Sequence, residues 1–346
     1  MLPNFYEQGL KVQRSLPRNF EEKDLHLFAH ELEVLIPAQA FAHNNNLIID
    51  YNGNCLDLFS PDASGQLSTN KETKRRNRFF IFKDFCKAYL KRKIIYIDNA
   101  SWVCDEWSQN YFHWFLDTLP KLIIIEMNFP QFSILIPKHL YEKEFIQQSL
   151  LYFKLQIVVL ENFNLVKAKK YIHLPDLSVS GNYIPDLVSS LRAKFLVNDK
   201  KTLRKVFVIR EEYLNRAIIN ISEVKDVLKK YSFEIITLNG ERLLDQIKIF
   251  SETAIFITVH GAALTNMLFM PRDGAVMELR RNDDALNNCY FSLASVLKIS
   301  YYYQLCEVDN YRKSTQENSF KVCTISLEKN ILQIFGDLGI SYDHIL

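Results

Sequence analysis

The sequence predicts an α/β fold, a parallel sheet with helices on both faces, in two domains. Three observations predict it. From about residue 93 onward, short apolar and β-branched runs alternate with segments of helical period. The chain has 346 residues, 48% of them hydrophobic, and a single core seldom grows past ~250–300 residues. Arg, His and Glu recur at the ends of successive apolar runs, where ligands bind in open α/β sheets. The expected boundaries are an N-terminal domain over 1–185, a C-terminal domain over 186–325, and a final helix over 326–346 that crosses back to the N-terminal domain.

Residues 1–90 resist ordering, because "ELEVLIPAQAFAHNNNLIIDYNG" mixes strand-like runs with Asn-rich turns. "SPDASGQLSTNKETKRRNR" over 60–78 is polar, carries Pro, Gly and Ser, and reads as an exposed loop. Its "KRRNR" cluster is a solvated surface or a contact for anionic lipid or phosphate. "KIIYID", "FSILIP" and "QIVVL" are strands, and "KHLYEKEFIQQSLLYF" sets Ile146, Leu150 and Phe153 at helical spacing. "GNYIPD" breaks the pattern and begins the connection between domains. In the second half, "KVFVIR", "FEIITL", "AIFITV" and "GAVMEL" are strands. "SEVKDVLKKY" is a helix with Ser222 as its N-cap and Val224, Val227, Leu228 and Tyr231 on one face. "GERLLDQIKIFSET" turns Leu243, Leu244, Ile247 and Phe250 inward. "GAALTNMLFM" is a short helix, and "SLEKNILQIFGDLGI" is a longer amphipathic one.

Several function classes are disfavoured. A formal charge of +2 does not make the basic stripe that nucleic acid asks for. Nine glycines, with no GxGxxG, GxxxxGK[ST] or GxSxG, leave no phosphate loop or nucleophile elbow. The six cysteines include no CxxC pair, so they read as reduced, buried thiols rather than a zinc ribbon. The start, "MLPNFYEQGLKVQRS", has no apolar core of a signal peptide. Runs such as "KLIIIEM" are far shorter than the ~20 residues that span a bilayer.

The strand ends of the second half carry the first candidate site. "KVFVIR" delivers Arg210, and "EEYLNR" then brings Arg216. "AIFITV" delivers His260 and Gly261, followed by Ala262 and Ala263, with Thr265 and Asn266 one turn on. Small residues let a ligand approach the backbone, and N–H groups at a helix start favour anions. "GAVMEL" delivers Glu278, suited to ribose hydroxyls. Together they make a nucleotide-diphosphate pocket. Each also has a plain structural reading: a surface salt bridge for the arginines, tight packing for "GAAL", a pairing of Glu278 with Arg280 or Arg281.

"NYFHWFLDTLP" over Asn110–Pro120 carries the second. On a helix His113 and Asp117 fall at i and i+4, within reach of each other. A carboxylate can fix the tautomer of a histidine and raise its basicity, so the pair could deprotonate a hydroxyl. Trp114 and its aromatic neighbours could stack on a sugar ring. The alternatives are a locally paired Asp117 with a buried His113, or a metal site, for which two ligands do not suffice. No D-x-D sits at a strand end, which disfavours a metal-chelated nucleotide-sugar site of the A-type fold and fits a two-domain B-type fold.

Three segments in order resemble glycosyltransferase family 61. "NYFHWFLDTLPKL" is similar to its acceptor-side motif, "VFVIREEYLNRAIIN" to its strand–Arg–loop–Arg–Asn segment, and "LLDQIKIFSETAIFITVHGAALTNMLFMPRDGAVMELR" to its donor-side block. The resemblance covers roughly residues 95–282. It implies a GT-B fold, two Rossmann-like domains facing a cleft, and an inverting, metal-independent transferase that takes a nucleotide sugar, expected as a UDP-sugar, and requires no further cofactor. It sets Arg210 and Arg216 against the diphosphate. His260, Gly261, Ala262, Thr265 and Asn266 line the phosphate and sugar, and Glu278 holds the ribose. His113 and Asp117 flank the acceptor hydroxyl, with either Asp117 or the pair as base, and Asn110 and Trp114 bind the acceptor. Eukaryotic members usually carry an N-terminal anchor or signal, which this chain departs from. The expected setting is therefore a cytoplasmic bacterial enzyme, at the inner face of the membrane. It would act on a glycan or lipid-linked saccharide in capsule or lipopolysaccharide synthesis and bind no nucleic acid. Two other readings stand beside it: a non-catalytic carbohydrate- or nucleotide-binding subunit on the same fold, and a metal-dependent hydrolase centred on His113, Asp117 and His260.

Overall fold

The computed structural model describes residues 9–37, 42–50, 55–56, 86, 90, 94–161, 164–195, 203–210, 216–313 and 317–340. The polar loop over 60–78 with its basic cluster, the stretch 211–215 and the end of the last segment lie outside the described residues. The chain forms two compact units: Met1–Gly9 with Pro37–Leu177, and Leu10–Ile36 with Ser178–Leu346. The change of unit after Leu177 falls close to the expected boundary at 185. The assignment of Leu10–Ile36 to the second unit was not foreseen.

In the first unit one sheet has the spatial order Cys55–Leu56, Ala42–Asp50, Leu165–His173, Ile94–Trp102, Ser133–Pro137, Ile157–Leu160. The last four strands are parallel, and Ala42–Asp50 adds to them antiparallel. All five residues of Ser133–Pro137 are buried, as befits a parallel strand covered on both faces. Ile146, Leu150 and Phe153 are buried as their spacing predicts, although their segment divides into helices Lys138–Tyr141 and Glu144–Leu150.

The crossover from Ile94–Trp102 to Ser133–Pro137 is a helical segment in three parts: α-helical Tyr111–His113, a π-helical turn over Trp114–Thr118, and α-helical Leu119–Asn128. Pro120 accounts for the irregularity. It has no N–H to give to the Leu116 carbonyl, and its ring would crowd that carbonyl in a regular helix. The chain widens instead, and the Leu119 N–H reaches back to the Trp114 carbonyl. Wide turns of this kind concentrate at functional sites.

In the second unit five parallel strands lie in the order Glu234–Ile236, Arg204–Val208, Thr253–Val259, Ala275–Arg281, Ser300–Val308, with Phe320–Lys321 antiparallel at the edge. In chain order this is 2-1-3-4-5. The direction of growth therefore reverses between Arg204–Val208 and Thr253–Val259, and ligands of open α/β sheets bind beyond the carboxyl ends of such a pair. One face of the sheet packs Phe207, Ile255, Ile257 and Met277 against Val224 and Leu228 of helix Ile221–Lys230 and Leu327, Ile331 and Phe335 of helix Thr324–Leu338. On the other face Phe256 meets Phe250 of helix Leu243–Ser251, ring centroids 4.8 Å apart.

Several local readings differ from expectation. Asn220, not Ser222, precedes helix Ile221–Lys230. Its side chain is engaged by the Val322 backbone, which ties the helix start to the edge strand. Leu244 is 53% exposed, because the inward stripe runs through Leu243, Gln246, Ile247 and Phe250. The segment after Gly261 is a 3₁₀ helix over Ala262–Phe269. The last helix packs its apolar stripe into the core of its own unit, where the expectation had it crossing back. Of the cysteines, Cys104 and Cys306 are buried, and burial pushes both thiols up to about 12. Cys323 is exposed.

Candidate functional site

At the reversal point of the second sheet two arginines converge on one glycine. A Cβ added to Gly261 would lie 2.8 Å from Nη2 of Arg210 and 2.9 Å from Nη1 of Arg216. Gly261 is extended, with φ 160° and ψ 177°, so close approach is what requires glycine here. Arg210 follows strand Arg204–Val208. Arg216 is held by its N–H on the Asn318 carbonyl at 2.9 Å and adopts φ 69°, a region that non-glycine residues seldom enter. Its Nη1 donates to the His260 carbonyl at 3.1 Å, and its buried Nε has no hydrogen-bond partner. Burial first, and the charge of Arg216 second, lower the Arg210 guanidinium to about 10 against the pull of Tyr290. Burial likewise lowers Arg216. Both stay cationic at neutral pH. Two half-buried like charges at one point are costly unless an anion joins them.

His260 stands beside this pair. Its N–H on the Leu279 carbonyl, at 2.9 Å, continues the ladder past the strand end. Its Nδ1 bonds Oε1 of Glu278, and its ring meets Tyr290 edge-on with centroids 5.1 Å apart. Glu278 is fully buried. Its second oxygen accepts from the Tyr301 hydroxyl at 2.6 Å. Burial pushes this carboxyl up, but His260, Arg280 and Tyr301 outweigh that and hold it below its ordinary value. Glu278 is thus occupied on both oxygens and shielded from solvent. The structure does not offer it to ribose hydroxyls; it anchors His260 by Nδ1 and turns Nε2 to the opposite side of the ring.

Thr265 and Asn266 are also fully buried. Asn266 donates to the Ala263 carbonyl at 3.1 Å and to Gln246 at 3.3 Å, so it braces the 3₁₀ helix rather than lining a ligand surface. Gly261 is buried and Ala262 half-buried at the start of that helix. The structure brings together Arg210, Arg216, His260 and Gly261, and sets Thr265, Asn266 and Glu278 behind them.

In the first unit His113 and Asp117 meet as their spacing predicts, Nδ1 to Oδ2 at 2.7 Å, both part-exposed. Asn110 is the N-cap of their helix, its Oδ1 accepting from the Phe112 N–H at 2.9 Å. Trp114 is not the expected platform. It is fully buried, and its Nε1 donates to Ser149 at 2.8 Å, because the face of the helix opposite His113 packs into the core. The exposed aromatic here is Trp107, 58% exposed, with its ring centroid 5.6 Å from that of His113.

Sequence reasoning missed Trp107, Tyr290 and Tyr301, and took Arg280 no further than a pairing with Glu278, which its charge does hold down. Arg280 is buried over the ring of Phe28, 5.1 Å from its centroid, and bonds Asn288 at 2.9 Å. Tyr301 is the first tyrosine of the run "SYYYQ", where alternation along a strand whose faces are both covered conceals which tyrosine faces the site. Trp107 lies just ahead of the motif, in a turn. No group of three or more His, Cys, Asp or Glu among the described residues has metal-binding geometry, and no described helix is long and apolar enough to cross a membrane.

Comparison with known proteins bears on both parts. The family described as Glycosyltransferase 61 matches residues 111–277. The chain is 36% identical over 102 residues to the EGF domain-specific O-linked N-acetylglucosamine transferase of Rattus norvegicus, which covers 28% of this chain and 19% of that protein. It is 27% identical over 108 residues to the protein O-linked-mannose beta-1,4-N-acetylglucosaminyltransferase 2 of Xenopus tropicalis, 30% of this chain and 19% of the relative. The match thus spans less than a fifth of the length of either relative.

Proposed function

We propose, from the premise that residues 111–277 form a glycosyltransferase 61 region, that this chain transfers a sugar from a nucleotide-sugar donor to a hydroxyl of a saccharide acceptor. The observation that carries the proposal is the convergence of Arg210 and Arg216 on Gly261, beside a histidine anchored by buried Glu278. Such a point suits a diphosphate: two guanidiniums neutralise it, and the missing Cβ leaves room for a phosphate oxygen against the backbone.

In this reading Arg210, Arg216 and Nε2 of His260 stabilise the charge that grows on the leaving diphosphate, a term that acts most strongly in the transition state. On the other side of the reaction, the His113–Asp117 pair takes the proton of the attacking hydroxyl, Asp117 orienting the imidazole through Nδ1. One displacement at the anomeric carbon then forms the new glycosidic bond, releases the nucleoside diphosphate and inverts configuration. The reading treats the two units as the halves of a GT-B enzyme, donor on the second and acceptor on the first, working without metal. A UDP-sugar is the first donor to test, and UDP-N-acetylglucosamine leads because both relatives are named for that sugar. Lipid-linked saccharides of bacterial surface polysaccharides are the first acceptors.

The test is a thermal-shift panel of nucleotides and nucleotide sugars with and without EDTA, since a ligand of the native state raises Tm by mass action. Selective stabilisation by one nucleotide family, unchanged by EDTA and lost in Arg210→Ala, supports the proposal. No stabilisation by any nucleotide overturns it.

A further inference from the structure

We infer that Trp107 is the platform on which the acceptor sugar ring rests, beside the His113–Asp117 pair. The inference rests on the transferase reading and adds to it the face that binds the acceptor. The chain has three tryptophans. Trp102 and Trp114 are in the core, and Trp107 exposes more than half of its surface. It does so from a turn that is locked rather than loose. Asp105 accepts the Trp107 N–H at 2.8 Å and the Ser108 hydroxyl at 3.0 Å. The Asp105 N–H returns to that hydroxyl at 2.9 Å, and the Asn110 N–H donates to the Trp107 carbonyl at 2.8 Å.

The turn is also tied to the helix it precedes. The Ser108 hydroxyl, fully buried, lies 2.9 Å from that of Thr118, the residue next to Asp117. Ring and dyad are therefore held as one piece, with the Trp107 and His113 rings 5.6 Å apart and inclined at 38°. A largely exposed indole with a polar pair beside it matches one kind of partner well. A pyranose ring has an apolar C–H face that stacks on an aromatic plane, and hydroxyls at its rim that reach polar groups. A sugar resting on Trp107 would carry a rim hydroxyl toward His113.

Saturation-transfer NMR on the whole chain, with a panel of methyl glycosides of the common hexoses, N-acetylhexosamines and pentoses, tests this directly. In wild type at least one glycoside should receive saturation on the C–H protons of one ring face. Trp107→Phe, which keeps an aromatic plane, should retain the effect, and Trp107→Leu should lose it. Trp107 is exposed, so unchanged melting temperatures should show that both variants fold. Transfer that is equal in Trp107→Leu overturns the inference, as does its absence from every glycoside while UDP still raises the Tm. Failure of UDP to bind at all counts against the transferase reading instead. Transfer from acceptor-like Ser/Thr peptides but from no glycoside would replace the sugar with a polypeptide and overturn the inference too.

Discussion

Glu278 holds His260 from beneath: one oxygen of the buried carboxylate bonds the imidazole Nδ1, and the other is fixed by the Tyr301 hydroxyl. The carboxylate acts on a ligand only through the ring it positions. Glu278→Gln keeps the shape and removes the charge. Nucleotide affinity should fall by about 1.5–3 kcal/mol, the worth of a hydrogen bond to a charged group, or roughly ten- to a hundredfold in Kd. The pH dependence of binding should change with it, which a purely structural role would not produce. Titration calorimetry across pH measures both, and a variant that binds like wild type at every pH removes Glu278 from the site.

The same carboxylate sets an acid limit. Its folded value lies below the ordinary 4.5, so its contribution to stability is complete above 4.5 and is lost as pH falls through the lower folded value. Wild type should lose Tm more steeply than Glu278→Gln below pH 4.5. Parallel curves for the two would show that the charge does not stabilise the fold.

Gly261→Ala separates binding from folding. The atoms nearest the new Cβ are the ends of two long side chains, which can swing aside, so Tm should change little. The guanidiniums would no longer converge, and nucleotide binding should weaken by at least tenfold. Retained affinity at an unchanged Tm would mean that their convergence is not what binds the ligand.

Asp117→Asn should leave donor affinity near wild type and reduce kcat by about 10²–10⁴, the usual reach of general acid–base catalysis. Steady-state kinetics with calorimetry decides it; equal losses of donor affinity in Asp117→Asn and Arg210→Ala would contradict this division of roles.

Trp114→Ala should cost about 3–5 kcal/mol of stability, as for a large aromatic removed from a core, and should abolish its bond to Ser149. Denaturant unfolding measures it. A loss below about 1 kcal/mol would place Trp114 outside the core, contrary to its burial.

Chain order made much of this legible. Apolar runs and helical spacing located most strands and helices from residue 93 on, and reading residues off strand ends placed Arg210, Arg216, His260 and Gly261 together. The i,i+4 rule paired His113 with Asp117 through a turn that is not even α-helical, since both geometries bring those side chains to one side. Other features were hidden for physical reasons. Glu278 is closed in by His260 and by Tyr301 from the next strand, and Asn266 is braced by Gln246 from a preceding helix, which nothing local to "GAVMEL" or "GAALTN" reveals. Which of several adjacent aromatics faces inward in "NYFHWFLDTLP" depends on helix phase, and Pro120 alters that phase. The place of Leu10–Ile36 follows from contacts to residues far along the chain, which periodicity does not register.

That last segment has a kinetic consequence. Asn19 donates to the Tyr303 carbonyl across 284 residues, and Tyr303 donates to buried Asp24 at 2.6 Å. At roughly 5–20 residues per second of synthesis, the N-terminal strap emerges some 15–60 s before the strand it binds. The first unit, threaded between, can complete its sheet within that interval. The second unit can finish only when the ribosome has delivered its far edge, so Leu10–Ile36 waits for partners made long after it.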